Sequence, residues 1–194
     1  MGPHRTSEDE LLRALQARVS SLAKADPGAT LDELARTESR LGFSLPTLLR
    51  RVYAAVNGGI GPGYGLLPVG DGDGTLTARY RSFIDSTCAP QPGQPGFDQY
   101  QWPEKLLPIC DWGCATWSCL DCRYDHGPIV TASNGEAFVS TGHKLSSWLG
   151  AWLAGVDLGE EMFEPGRTRT GINPFTKQPL RLKGQGKLRG NRWP

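Results

Sequence analysis

Histidine is scarce in this chain, acid is missing from its last thirty residues, and no apolar run is long. Only three histidines occur among 194 residues. They are His4 near the N-terminus, His126 in a turn and His143 near a helix start; each is expected to be solvated, and none is placed as the base that a nucleophilic thiol requires together with an orienting group. No apolar stretch approaches the roughly eighteen residues of a membrane-spanning helix. The opening MGPHRTSEDE also lacks the basic-then-apolar pattern of a secretory signal, which leaves the cytoplasm as the expected compartment.

The distribution of charge says more than its total. The formal net charge is +1, yet all 20 acidic residues lie at or before Glu164. Up to that point 13 basic residues stand against 20 acidic ones, a net of −7, and the remaining residues carry +8 from Arg167, Arg169, Lys177, Arg181, Lys183, Lys187, Arg189 and Arg192. An acidic body of this kind either serves solubility or steers a cationic partner into contact. The tail combines Gly, Pro and basic residues without apolar periodicity, so residues 165–194 read as a basic arm outside the body at 1–164. The arm shows no alternation of basic and aromatic residues and no nucleic-acid motif, which argues against nucleic acid as the partner.

With 38% hydrophobic residues the chain is long enough to bury one core of ordinary size. Two capping boxes mark helix starts. Ser7-x-x-Glu10 precedes a stripe of Leu11, Leu12, Leu15, Val19 and Leu22, and Thr30-x-x-Glu33 precedes a helix with Leu31, Leu34, Ala35 and Leu41 inward, ending at Gly42. A third helix is expected from Pro46, in the first helical position, to about Val56. The glycine-rich exit Asn57-Gly58-Gly59 then leads through an elbow into a strand-like segment, Tyr64 to Val69.

After a turn at Asp71-Gly72-Asp73-Gly74, the mixed apolar pattern of Leu76 to Thr87 suits another helix, and the proline-rich stretch 89–96 reads as a surface loop. From Leu106 the period becomes two. Strands are expected at Leu107 to Cys110, Thr116 to Leu120, Ile129 to Thr131 and Glu136 to Ser140, the last two joined by an Asn134-Gly135 turn. Short strands joined by tight turns predict an antiparallel meander packed on helices, an α+β fold with about five or six strands. Trp148 and Trp152, four residues apart, form the stripe of a closing helix.

Three motif readings compete with plain packing. Cys110, Cys114, Cys119 and Cys122 would supply four thiolates for zinc, but they are separated by three, four and two residues, so only Cys119-x-x-Cys122 has a zinc-knuckle spacing. Buried thiols on adjacent strands are the favoured alternative. The alternating Gly59, Gly61, Gly63 and Gly65 follow a helix and enter a strand, the reverse of a dinucleotide loop, and no P-loop lysine is present. Asp71 and Asp73 begin like a calcium loop, but Gly74 breaks the pattern and no glutamate closes it.

Several of these segments together are similar to a known family. Leu41-Gly42-Phe43-x-Leu45-Pro46, Leu49-x-x-Val52-Tyr53, Val56-Asn57-Gly58-Gly59 and Gly61-Pro62-x-Tyr64-Gly65-Leu66-Leu67-Pro68 resemble the N-terminal signature of the SUKH superfamily, also called the Smi/Knr family. Leu106 to Cys114 with Trp117 to Asp121 resembles its central strand pair, and Trp148-Leu149-x-x-Trp152-Leu153-x-Gly155 its closing helix. The resemblance spans residues 30 to 156.

It implies a catalytically silent, cofactor-free immunity protein of bacterial type, which binds a cognate toxin, a nuclease by expectation, and blocks it by direct contact. Two other classes stay in view: an intracellular scaffold or regulator, the role of the fungal relatives, and a zinc-stabilised nucleic-acid binder. The family carries over no functional residues, so the contact candidates rest on charge and turn placement. They are the aspartates Asp71, Asp73, Asp111, Asp121 and Asp125 for steering, and Tyr64, Trp112 and Trp117 as aromatic anchors. For both tryptophans core packing is the competing role.

Overall fold

Both capping boxes form, and each fixes the start of a helix by local chemistry. The Ser7 hydroxyl accepts from the Glu10 N–H at 3.2 Å while the Glu10 carboxylate accepts from the Ser7 N–H at 2.7 Å. Thr30 and Glu33 repeat the pair at 3.2 and 2.7 Å. The computed structural model describes residues 7–21, 27–85, 102–133 and 138–159. Within them lie helices α1 (Glu8–Ser20), α2 (Leu31–Leu41), α3 (Thr47–Ala55), α4 (Leu76–Ile84) and α5 (Leu145–Leu153), with strands β1 (Leu106–Gly113), β2 (Thr116–Asp121), β3 (Pro128–Ser133) and β4 (Val139–Lys144). The Asn134-Gly135 turn, the proline-rich stretch 89–96 and the arm 165–194 lie outside the described residues.

Helix α3 starts one residue later than the sequence suggests. Pro46 has ψ 142°, outside the helix, although its carbonyl accepts from the Arg50 N–H at 3.0 Å. Proline has no side chain that can cap, and the exposed Thr47 N–H is met instead by the Asp125 carboxylate at 2.6 Å, from a turn 78 residues away. At the other end of α2, Gly42 takes φ +80° and closes the helix in the left-handed conformation.

The four strands form an antiparallel meander in the order β1-β2-β3-β4. The expected strand at Tyr64 to Val69 reduces to a single bridge, Leu66 to Cys110, along the outer edge of β1. Its backbone is instead satisfied piecemeal. Tyr64 and Leu67 donate to Asp111 and Ile109, and the Asn57 amide brackets Val69 with bonds of 2.8 and 3.1 Å. A side chain has taken the place of a neighbouring strand.

Both faces of the sheet are covered. The helices pack on one face through Leu107, Ile109, Leu120 and Ile129, which join Tyr53, Trp148 and the leucines of α1 to α3 in the main core. On the other face Leu106, Trp117, Cys119, Val130 and Ala132 make a second, smaller core under Phe83, Trp102 and Phe138. The Phe83 and Trp102 rings stack with centroids 4.2 Å apart.

Candidate functional site

The β1–β2 hairpin turns through two residues, Cys114 and Ala115, between the paired Gly113 and Thr116. Both have positive φ, +49° and +56°. Tight hairpins of this shape ordinarily use Asn-Gly at these positions, because side chains disfavour the left-handed region. Holding two residues with a Cβ there costs about 1 kcal/mol or more apiece. Both residues are exposed, so the strain sits on the surface.

Beside this turn lies the elbow after α3. The Tyr64 N–H donates to the Asp111 carbonyl at 2.9 Å, and a Cβ placed on Gly63 would come within 2.6 Å of that carbonyl and 3.0 Å of the Trp112 ring. A Cβ on Gly113 would meet the Tyr64 ring at 3.1 Å. Glycine at both positions is therefore the condition for the two aromatic rings to close on the hairpin. Trp112 is half-buried, its indole N–H donating to Ser118 Oγ at 2.8 Å, whereas Tyr64 remains 76% exposed. The Asp111 carboxylate accepts from the Gly113 N–H at 2.7 Å.

A third segment arrives from beyond α5. A Cβ on Gly159 would lie 4.0 Å from the Trp112 ring, and the Gly159 N–H is held by the exposed Asp157 carboxylate at 2.8 Å. Sequence reasoning missed Asp157. No local pattern marks it, since its place depends on where the end of α5 returns to the sheet.

The remaining candidates do not join this cluster. Trp117 is 8% exposed, in the second core, with the Arg79 guanidinium 4.7 Å from its ring centroid. Asp121 is 1% exposed and paired in a fork with Arg123 at 2.9 and 2.7 Å. Both are built into the fold and present little surface. Asp125 sits at the opposite end of the sheet, capping α3, and its bond to the Thr47 backbone holds its carboxyl below the usual range. Asp71 pairs with Arg40, and Asp73 is exposed in the turn before α4.

The elbow, the hairpin and the tryptophan-bearing helix α5 all fall within the part of the chain that a family model matches. The model of the SMI1 / KNR4 family (SUKH-1) matches residues 28–155. The chain belongs to the SMI1 / KNR4 family. No curated protein matches it. The SUKH-1 match leaves out α1, although Leu11, Leu12 and Leu15 of that helix are part of the same main core.

Within the SUKH-1 domain the four clustered thiols diverge. Cys110 belongs to the main core and Cys119 to the second, Cys114 is at the exposed turn, and Cys122 lies past the far end of β2. Burial raises the Cys110 thiol to about 12 and pushes Cys119 and Cys122 up as well. A buried thiol kept protonated is a poor nucleophile. Among the described residues no three of His, Cys, Asp and Glu come together to hold a metal.

His126 is exposed between Glu8 and Asp125, each 3.8 Å away. His143 departs from the solvated position expected for it. It is fully buried beside the Ser147 hydroxyl at 3.3 Å, because the irregular pairing of β4 around Gly142, with φ +79°, turns it inward. Among the described residues no helix is long and apolar enough to cross a membrane.

Proposed function

We propose that this SUKH-1 chain is an immunity protein that neutralises a cationic toxin, of nuclease type, by direct contact and without chemistry of its own. Family membership makes a protein partner the expected ligand. The observation that carries the reading further is the net −7 of the chain up to Glu164. Nucleases bind a phosphate backbone with clustered lysine and arginine. An acidic body complements such a surface and accelerates encounter with it.

The reading is tested by co-expression with toxic nuclease domains, starting with any that is encoded next to this gene. Cells carrying both should grow while cells carrying the toxic domain alone should not, and the purified pair should co-elute. Growth arrest despite full expression of this chain would remove the reading.

A further inference from the structure

Three parts of the chain, distant in sequence, meet at the end of the β1–β2 hairpin and build an aromatic surface between carboxylates. Tyr64 is fixed there through its backbone bond to Asp111 and by its ring lying against Gly113, yet most of the ring faces solvent. A large side chain already held in place loses little conformational freedom when a partner covers it. The Asp111 and Asp157 carboxylates belong to the same surface, through Gly113 and Gly159.

The charge of the occupant follows from a comparison within the molecule. Among the described residues Tyr124 is the other exposed tyrosine, at 59%, and its ring already carries the Arg123 guanidinium at 5.7 Å. Among the described residues no such cation lies over Tyr64. An aromatic face beside carboxylates suits a guanidinium or ammonium group, which takes the ring by cation–π attraction and a carboxylate by charge-assisted hydrogen bonds.

We propose, resting on the immunity reading, that Tyr64, Trp112, Asp111 and Asp157 form the docking surface for an arginine- or lysine-bearing loop of the cationic toxin. Tyr64 is the anchor, and Asp157 orients the incoming cation. The strained Cys114-Ala115 turn holds the hairpin end in the shape that receives the loop.

The test measures binding, to the full chain, of the purified nuclease toxin domain against which the chain protects in co-expression. Tyr64→Ala should weaken binding about 30-fold or more, mostly by faster dissociation. Tyr64→Phe, which keeps the ring, should stay within about threefold, and it guards against a folding artefact in the alanine variant. Asp157→Asn should slow association at low salt, and Tyr124→Ala, at the far end of the sheet, should leave binding unchanged. If the wild type binds and protects while Tyr64→Ala binds equally well, this surface is wrong and the immunity reading stands. If the wild type neither binds nor protects, both fall together.

Discussion

At the scale of single residues, several side chains that sequence position marks as available are already committed. Asp125 is the clearest case, because its carboxylate supplies the cap that Pro46 cannot. Replacing Asp125 by Ala should destabilise the domain by about 1 kcal/mol, the usual cost of losing a cap, and its exposure places the value toward the low side. The acid dependence follows from the lowered carboxyl. A group whose folded value lies below its unfolded one stabilises fully above the unfolded value, about 3.9, and ceases to do so as the pH falls through the folded value. Urea denaturation of the wild type and Asp125→Ala should therefore differ near neutral pH and converge in strong acid. Equal midpoints at pH 7 would show that the bond contributes nothing.

At the scale of elements, what was legible in the sequence was what local chemistry decides. The starts of α1 and α2 follow from hydroxyl and glutamate three residues apart, and the antiparallel meander follows from short strands and tight turns. The segment at Tyr64 to Val69 reads as a strand in the sequence but makes only one bridge, because Asn57 and Tyr53 satisfy part of its backbone with side chains. Nor does the sequence tell Trp112 from Trp117. Strand β2 is buried along its whole length, which erases the alternation that would assign faces.

The Cys114-Ala115 turn is equally silent, since neither residue signals a left-handed pair. Its replacement by Asn-Gly should relieve the backbone and stabilise the hairpin by about 1–2 kcal/mol, read as a higher denaturation midpoint with an unchanged slope. No gain in midpoint would mean the turn is not strained.

At the scale of the whole molecule, two cores leave little freedom in the sheet, and the charge distribution then decides how the body meets a partner. The five aspartates that the sequence offers for steering mix two roles. Asp121 is buried in its fork with Arg123 and Asp125 caps a helix, so substituting either would confound encounter with stability. Asp71, Asp73 and Asp157 are exposed and carry no such burden in the core. Association of the proposed toxin partner should slow about tenfold or more as ionic strength rises from about 0.01 to 0.15 M, where the screening length shrinks from roughly 30 to 8 Å. The triple variant Asp71→Asn, Asp73→Asn, Asp157→Asn should start from a slower rate at low salt and show a flatter decline, while dissociation changes only through Asp157. Stopped-flow measurement distinguishes these rates directly. An association rate at low salt equal to that of the wild type would mean that the acidic body serves solubility alone.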